Sequence, residues 1–87
     1  MNKIVCNIEL FSLHQNLFVF TEDSATKINI GTLEDLKESI TNACHNLNIY
    51  HVHLIGNTDY INNLIEEIKV YNQITYNNTK EIEFEVN

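Results

Sequence analysis

The sequence has no proline, no tryptophan and only two glycines among its 87 residues. Disordered segments are commonly rich in proline and glycine and poor in apolar residues. Apolar residues make up 44% of this chain, so we expect an ordered fold. A chain of this length typically forms one domain, which we assign to residues 1–87.

Basic residues are also scarce. Five lysines and arginines stand against twelve aspartates and glutamates, which gives a formal net charge of −7. Binding to DNA or RNA depends largely on lysine and arginine side chains that neutralise phosphates. We therefore expect no direct binding to nucleic acid. A protein partner, if there is one, is expected to be basic.

Long apolar runs are missing, since none approaches the ~20 residues of a membrane-spanning helix. We expect no membrane contact. Residues 1–10 carry one lysine and a short apolar stretch before Glu9, unlike a secretory leader, and this predicts a cytoplasmic protein. Cys6 and Cys44 form no C-x-x-C motif, and in the cytoplasm we expect both thiols to be reduced and buried.

The motifs of several common enzyme classes are absent too. The chain has no Walker A motif, no G-x-G-x-x-G and no H-E-x-x-H, and none of its serines lies in a G-x-S-x-G setting. We expect a non-enzymatic protein without a cofactor.

The most informative stretch that is present is Tyr50–Ile74. Residues Tyr50–Ile55 are β-branched, aromatic or otherwise apolar at alternate positions, which predicts a buried strand. Gly56 breaks the pattern, and Asn57 or Thr58 can cap a following helix of roughly 16 residues. Apolar residues then recur at the spacing of one helix face: Ile61, Leu64, Ile65, Ile68 and Tyr71.

The remaining segments are placed by the same patterns. Thr32 and Asp35 fit the start of a helix, and Glu81–Val86 alternates as a half-exposed edge strand. The other predicted elements are strands at Lys3–Phe11, Leu17–Thr21 and Thr26–Ile30 and a helix at Leu33–Leu47. The order β-β-β-α-β-α-β predicts an α+β fold with a single mixed five-stranded sheet and two helices.

This order of elements resembles that of the ribonuclease H-like fold, without any shared sequence motif. A ferredoxin-like fold or another small α/β sandwich remains an alternative. The resemblance implies, for the nucleases of that family, a carboxylate cluster that holds two metal ions. The middle of the first strand, where the family has an aspartate, carries Cys6, Asn7 and Ile8 here, and Glu9 is its only acid. We therefore do not expect nuclease activity.

The pair His51 and His53 is the sharpest local signal. Alternate residues of a strand share a face, so both imidazoles can reach one metal ion. His14, His45 or Glu9 would have to supply a third ligand. A metal-dependent hydrolase is thus a less favoured alternative, and we expect two partly covered histidines without metal.

Glutamates Glu81, Glu83 and Glu85 form a ladder on one side of the last strand. Their spacing of ~6.6–6.8 Å is comparable with that of successive phosphates on one nucleic-acid strand. With Glu66, Glu67, Glu22 and Asp23 they could form an acidic surface that imitates nucleic acid. Of these, Glu81, Glu83, Glu85, Glu66 and Glu67 are our candidate partner-binding residues, in an acidic face or edge strand that engages a basic, nucleic-acid-handling protein. Such a module would be an accessory or inhibitor protein of the kind that phages and mobile elements encode.

The same edge strand offers a second interpretation. It could pair with its two-fold mate, and the protein would then be a self-associating structural subunit or homodimer.

Overall fold

A five-stranded sheet forms the framework of the protein. The computed structural model describes residues 2–87. The elements in chain order are β1 (Lys3–Asn7), β2 (Gln15–Phe20), β3 (Ala25–Gly31), a short 3-10 helix (Leu33–Asp35), α1 (Leu36–Leu47), β4 (His51–Ile55), α2 (Thr58–Tyr76) and β5 (Glu83–Val86).

The strands lie in the order β3-β2-β1-β4-β5. Strand β2 is antiparallel to β1 and β3, whereas β4 is parallel to β1 and β5 is parallel to β4. The prediction of a single mixed five-stranded sheet with two helices is confirmed, in the element order that the resemblance implies. Because the chain opens with a three-stranded meander, the ferredoxin-like alternative, which alternates β-α-β-β-α-β, does not apply.

Both helices pack on one face of the sheet and on each other. The inward side chains of β1, β2 and β4 form the lower half of the core, and one side of each helix forms the upper half. The fully or almost fully buried members are Ile4, Cys6, Leu17, Val19, Val52 and Leu54 from the sheet and Leu36, Ile40, Cys44, Ile61, Leu64 and Ile68 from the helices. Within residues 2–87, neither helix covers the opposite face of the sheet.

Strand β1 ends at Asn7 and is shorter than the predicted strand Lys3–Phe11. The reason is that a side chain, and not a neighbouring strand, bonds the backbone of Glu9. The amide of Gln15, which is 1% exposed, accepts a hydrogen bond from the Glu9 N–H (3.1 Å) and donates one to the Glu9 C=O (2.7 Å). These backbone groups are thereby satisfied without a strand neighbour. The chain leaves the sheet after Asn7, and Leu10 and Phe11 lie in the connection to β2.

The ends of α2 follow from asparagine chemistry. The side chain of Asn57, one of the two caps that the sequence offers, caps its start by accepting from the Tyr60 N–H at 3.0 Å. At the other end Asn77 and Asn78 adopt φ angles of 53° and 52°, a left-handed conformation that asparagine tolerates well. The helix runs to Tyr76 and has 19 residues, somewhat longer than the sequence pattern indicates.

The two cysteines lie at the sheet–helix interface. Cys6 and Cys44 are buried and unpaired. Burial raises the pKa of each thiol to about 12, so both are protonated at neutral pH. Within residues 2–87, neither helix has the combination of length and apolar character that crossing a bilayer requires.

Candidate functional site

The face of the sheet opposite the helices carries alternating outward side chains. In β4, Val52 and Leu54 are buried under the helices while His51 and His53 are half-buried on the other side. Strand pairing aligns five outward residues in one row across the sheet, from β3 to β5: Lys27, Phe18, Val5, His53 and Glu85. This surface, the open face, has a lysine at one edge, a glutamate at the other and apolar or aromatic side chains between them.

Two histidines and two glutamates meet on the open face at the β4–β5 pair. The Nδ1 atom of His53 lies 3.3 Å from Glu85 Oε2, and the ring nitrogens of His51 lie 3.8 Å from Glu83 and 3.9 Å from Glu85. The glutamate side chains are 81% and 52% exposed, the histidine side chains only 29% and 15%. The imidazoles are thus partly covered, as the sequence predicts, while the carboxylates face solvent.

A metal site at this pair would need a third ligand. His45 projects from α1 on the helix side of the sheet, where its Nε2 lies 2.7 Å from Asn72 Oδ1 and its Nδ1 lies 3.2 Å from the Tyr50 hydroxyl. Neither His14 nor Glu9 joins the pair, since residues 2–87 contain no group of three or more histidine, cysteine, aspartate or glutamate side chains that could hold a metal ion.

The five candidate glutamates do not form one continuous surface. Glu83 and Glu85 lie together on the open face, while Glu66 and Glu67 project from α2 in the helix layer. Lys69 connects the two regions: its ammonium lies 3.9 Å from Glu66, and its side chain lines a groove together with Glu81.

Glu67 faces a different part of the helix layer. It borders a hollow shared with Lys37 and Tyr60, next to α1. Burial, followed by the negative charge of Glu67, raises the pKa of the Tyr60 phenol. Glu67 is therefore separated from the carboxylates of β5.

Strand β5 is an edge of the sheet, and half of its backbone groups lack a neighbouring strand. The Glu83 N–H donates to the Tyr50 C=O at 2.8 Å, which fixes the side of β5 that faces β4. Backbone groups alternate in direction along a strand, so the N–H and C=O groups of Phe84 and Val86 point away from β4. In the described part of the chain, these four groups lie along a free edge.

A groove of about 310 Å³ runs beside this edge, between β5 and α2. Its walls are partly apolar, with Ile68 from the helix and Ile82 and Phe84 from the strand. Lys69 and Glu81 lie at its rim and give it one charge of each sign. An extended segment laid along β5 would find both hydrogen-bonding groups and an apolar channel here.

Asn72 holds the segment that leads into β5. Its side chain is 3% exposed, and its Nδ2 donates to the Lys80 C=O and to Asn78 Oδ1, both at 3.0 Å. Its Oδ1 lies 2.7 Å from the ring of His45, which stacks on Tyr76 at 3.6 Å between ring centroids. This partly buried network ties the segment before β5 to α2 beside the groove, which Asn72 and Asn78 also line.

Two exposed apolar surfaces were not anticipated from the sequence. In the β1–β2 connection Phe11 is fully exposed and Leu13 is 80% exposed. On the outer side of α2, Val70 is 57% exposed and Ile74 is 75% exposed. The sequence did contain a signal for Val70 and Ile74. These apolar residues are four positions apart and outside the buried face of α2, so they are neighbours on the helix surface. For Phe11 there was no such signal, because it continued the alternation of the first strand.

The open face is also less complete in hydrogen bonding than the covered one. Asn16 Oδ1 and His53 Nε2 are buried beneath neighbouring side chains, and within residues 2–87 they have no hydrogen-bond partner. The side chains of Asn16 and His53 both lie on the open face. Because buried polar atoms usually have hydrogen-bond partners, these two atoms are exceptions.

Comparison of the chain with protein-family models, with curated proteins and with solved structures gave no match. Its function is therefore argued from the geometry of β5 and the open face.

Proposed function

We propose that the protein is a non-enzymatic module that binds a basic partner protein along the edge of β5. The observation that carries this proposal is the free backbone edge of Phe84 and Val86, which lies between a partly apolar groove and exposed carboxylates. Edge strands of this kind can accept an added strand from a partner, with main-chain hydrogen bonds supplying affinity and side-chain pockets supplying specificity.

The alternation of β5 defines the side chains that such a strand would carry. Residues that lie beside Glu83 and Glu85 would share the open face, where lysine or arginine complements the carboxylates. Residues that lie beside Phe84 and Val86 would point to the helix side of the sheet, where Phe84 lines the groove and apolar side chains fit. The preferred segment therefore alternates basic and apolar residues.

The partner class follows from charge. A basic surface that handles nucleic acid is adapted to a row of phosphates, and alternate residues Glu83 and Glu85 of β5 present carboxylates at comparable spacing. Glu81, the third predicted member of the ladder, lies just before the strand and at the rim of the groove. We propose that the module acts in the cytoplasm as an accessory or inhibitor protein that occupies such a surface.

The test is capture from a nuclease-treated lysate, followed by charge reversal. We expect a basic protein in stoichiometric amount that dissociates at high salt. The double variant Glu83→Lys/Glu85→Lys should weaken its binding by at least about tenfold. Glu22→Lys/Asp23→Lys is the matched control, because it makes the same change of charge in the exposed turn between β2 and β3.

Competition identifies the surface on the partner. A DNA or RNA oligonucleotide should displace the module from its partner if both occupy the same basic surface. If capture is unaffected by the β5 variant, or is weakened equally by the control variant, the proposed binding edge is wrong. If the oligonucleotide does not compete, the nucleic-acid-handling part of the proposal fails.

A defined peptide separates strand addition from simple charge attraction. We expect a peptide that alternates lysine and valine to bind, and a peptide of the same composition with its lysines grouped to bind at least about tenfold more weakly. Equal binding of the two would show that charge alone is being recognised.

A further inference from the structure

One row of residues on the open face has its two signs of charge at opposite edges of the sheet. Lys27 lies on β3 and Glu85 on β5, at the two ends of one row of paired residues. Five strands spaced ~4.8 Å apart separate these ends by roughly 19 Å, too far for a contact within one chain. Between them lie Phe18, which is 36% exposed, the half-buried Val5, and His53.

We propose that the open face binds a second copy of the chain, face to face, about a two-fold axis that runs parallel to the strands and passes over β1. This rotation places β3 of one copy over β5 of the other, and β2 over β4. The two sheets would pack about 10 Å apart, with the angle of about 30° that twisted sheets adopt.

In this dimer, the row of paired residues in one copy lies over the same row of the second copy in reverse order. Lys27 approaches Glu85 of the second copy, and by symmetry the same contact forms twice. Phe18 lies over His53 of the second copy, and Val5 meets its own counterpart on the axis. The face is thus complementary to itself in charge and brings its apolar centre together.

The other in-plane axis does not give this match. A two-fold axis that runs across the strands would place β5 over β5 and bring the exposed Glu83 and Glu85 of both copies together. Like charges facing each other disfavour that arrangement. The axis along the strands has one unfavourable pair of its own, since Lys3 on β1 lies close to its counterpart.

The size of the face sets the concentration range for the test. Five strands with about five residues each cover roughly 24 by 17 Å, which is small beside the ~800 Å² of surface per partner in a standard interface. We therefore expect a dissociation constant in the micromolar range. Sedimentation equilibrium from about 1 to about 500 µM should show a monomer–dimer equilibrium.

Charge exchange tests the predicted contact directly. Lys27→Glu alone and Glu85→Lys alone each place like charges at both ends of the interface, and each should raise the dissociation constant by at least about tenfold. An equimolar mixture of the two variants can form a heterodimer in which both ends are complementary again. The mixture should therefore dimerise within about threefold of the wild-type constant.

The matched controls lie in the helix layer. Lys69→Glu and Glu67→Lys make the same changes of charge on α2 and should leave the equilibrium unchanged. Circular dichroism checks that every variant is folded. We expect this because the side chains of Lys27 and Glu85, and those of the two control positions, are exposed. Lys3→Gln should tighten the dimer, since it removes the like-charge pair near the axis.

Three results would overturn the inference. The wild-type protein could remain a monomer up to the highest concentration, or it could dimerise with no effect of Lys27→Glu. The mixture of charge variants could also fail to restore the dimer, which would point to another interface such as an edge strand. Face-to-face pairing leaves the backbone edge of β5 free but uses the Glu85 carboxylate, which the proposed partner also contacts. Lys27→Glu separates the two proposals, because Lys27 lies on β3 and should affect the dimer without affecting capture of the partner.

Discussion

His53 on β4 and Glu85 on β5 are paired in the parallel ladder, and His53 Nδ1 lies 3.3 Å from Glu85 Oε2. The glutamate is half-exposed whereas the imidazole is mostly covered, so the pair lies at the boundary between the sheet and solvent. The contact connects the edge strand to its neighbour through side chains as well as backbone.

The carboxylates of β5 should contribute little to stability. For Glu83→Gln and Glu85→Gln we expect the free energy of unfolding to change by less than about 1 kcal/mol each, because contacts made by partly exposed carboxylates are weak in water. Urea denaturation monitored by circular dichroism measures the change. A larger loss for either variant would show that these carboxylates are part of the folding framework, and loss of binding could then not be assigned to the surface.

Asn72 should be among the most sensitive polar positions. Asn72→Ala removes the donor to the Lys80 C=O and the partner of the His45 ring, so two groups in a partly buried network lose their hydrogen bonds. We expect a loss of about 2–4 kcal/mol in the free energy of unfolding. The neighbouring exposed position provides the control, since Gln73→Ala should change stability by at most about 0.5 kcal/mol.

The effect of Asn72→Ala should also be local to β5. Hydrogen exchange of the Glu83 amide, which is bonded to the Tyr50 C=O, should accelerate more than that of amides in β1. Uniform acceleration across the sheet would mean that the asparagine supports the whole fold and does not specifically position the edge strand.

Gly56 is required by the turn between β4 and α2. Its φ angle is 148°, and a Cβ atom there would lie 3.1 Å from the backbone oxygen of Ile8. Gly56→Ala should therefore lower the free energy of unfolding by about 1–3 kcal/mol, through strain that the rigid neighbouring backbone cannot relieve. Differential scanning calorimetry tests this, and an unchanged melting temperature would show that the turn has another accessible conformation.

Local patterns were sufficient to predict most elements of the fold. Two-residue alternation placed His51 and His53 on one face, and the spacing of Ile61, Leu64 and Ile68 gave the buried side of α2. The cap at Asn57 was likewise predictable, because it depends on residues adjacent in the chain.

Features that depend on distant parts of the chain could not be predicted in the same way. The end of β1 is set by the side chain of Gln15, which is six residues from the backbone groups of Glu9 that it bonds. The separation of Glu67 from Glu85 depends on which face of the sheet the helices cover. Spacing along the sequence carries no information on that choice.

The buried thiols should make the protein sensitive to alkaline pH. Burial raises the pKa of Cys6 and Cys44 from 9.0 to about 12, so the unfolded chain releases these protons at a lower pH than the folded chain does. The stabilising contribution is fully present below pH 9 and is lost as the pH rises from 9 towards 12. The expected slope is about 1.4 kcal/mol per pH unit for each thiol.

Guanidinium unfolding at pH 7, 9 and about 10.5 measures this dependence. The double variant Cys6→Ala/Cys44→Ala is less stable at every pH because it leaves cavities, but its decline above pH 9 should be shallower. Both thiols of the wild-type protein should also resist a thiol reagent at pH 8 until denaturant is added, because the thiolate is the reactive form and the side chains are inaccessible. A rapid reaction of either cysteine in the folded protein, or an identical alkaline slope in the double variant, would contradict the assignment of these residues to the closed core between sheet and helices.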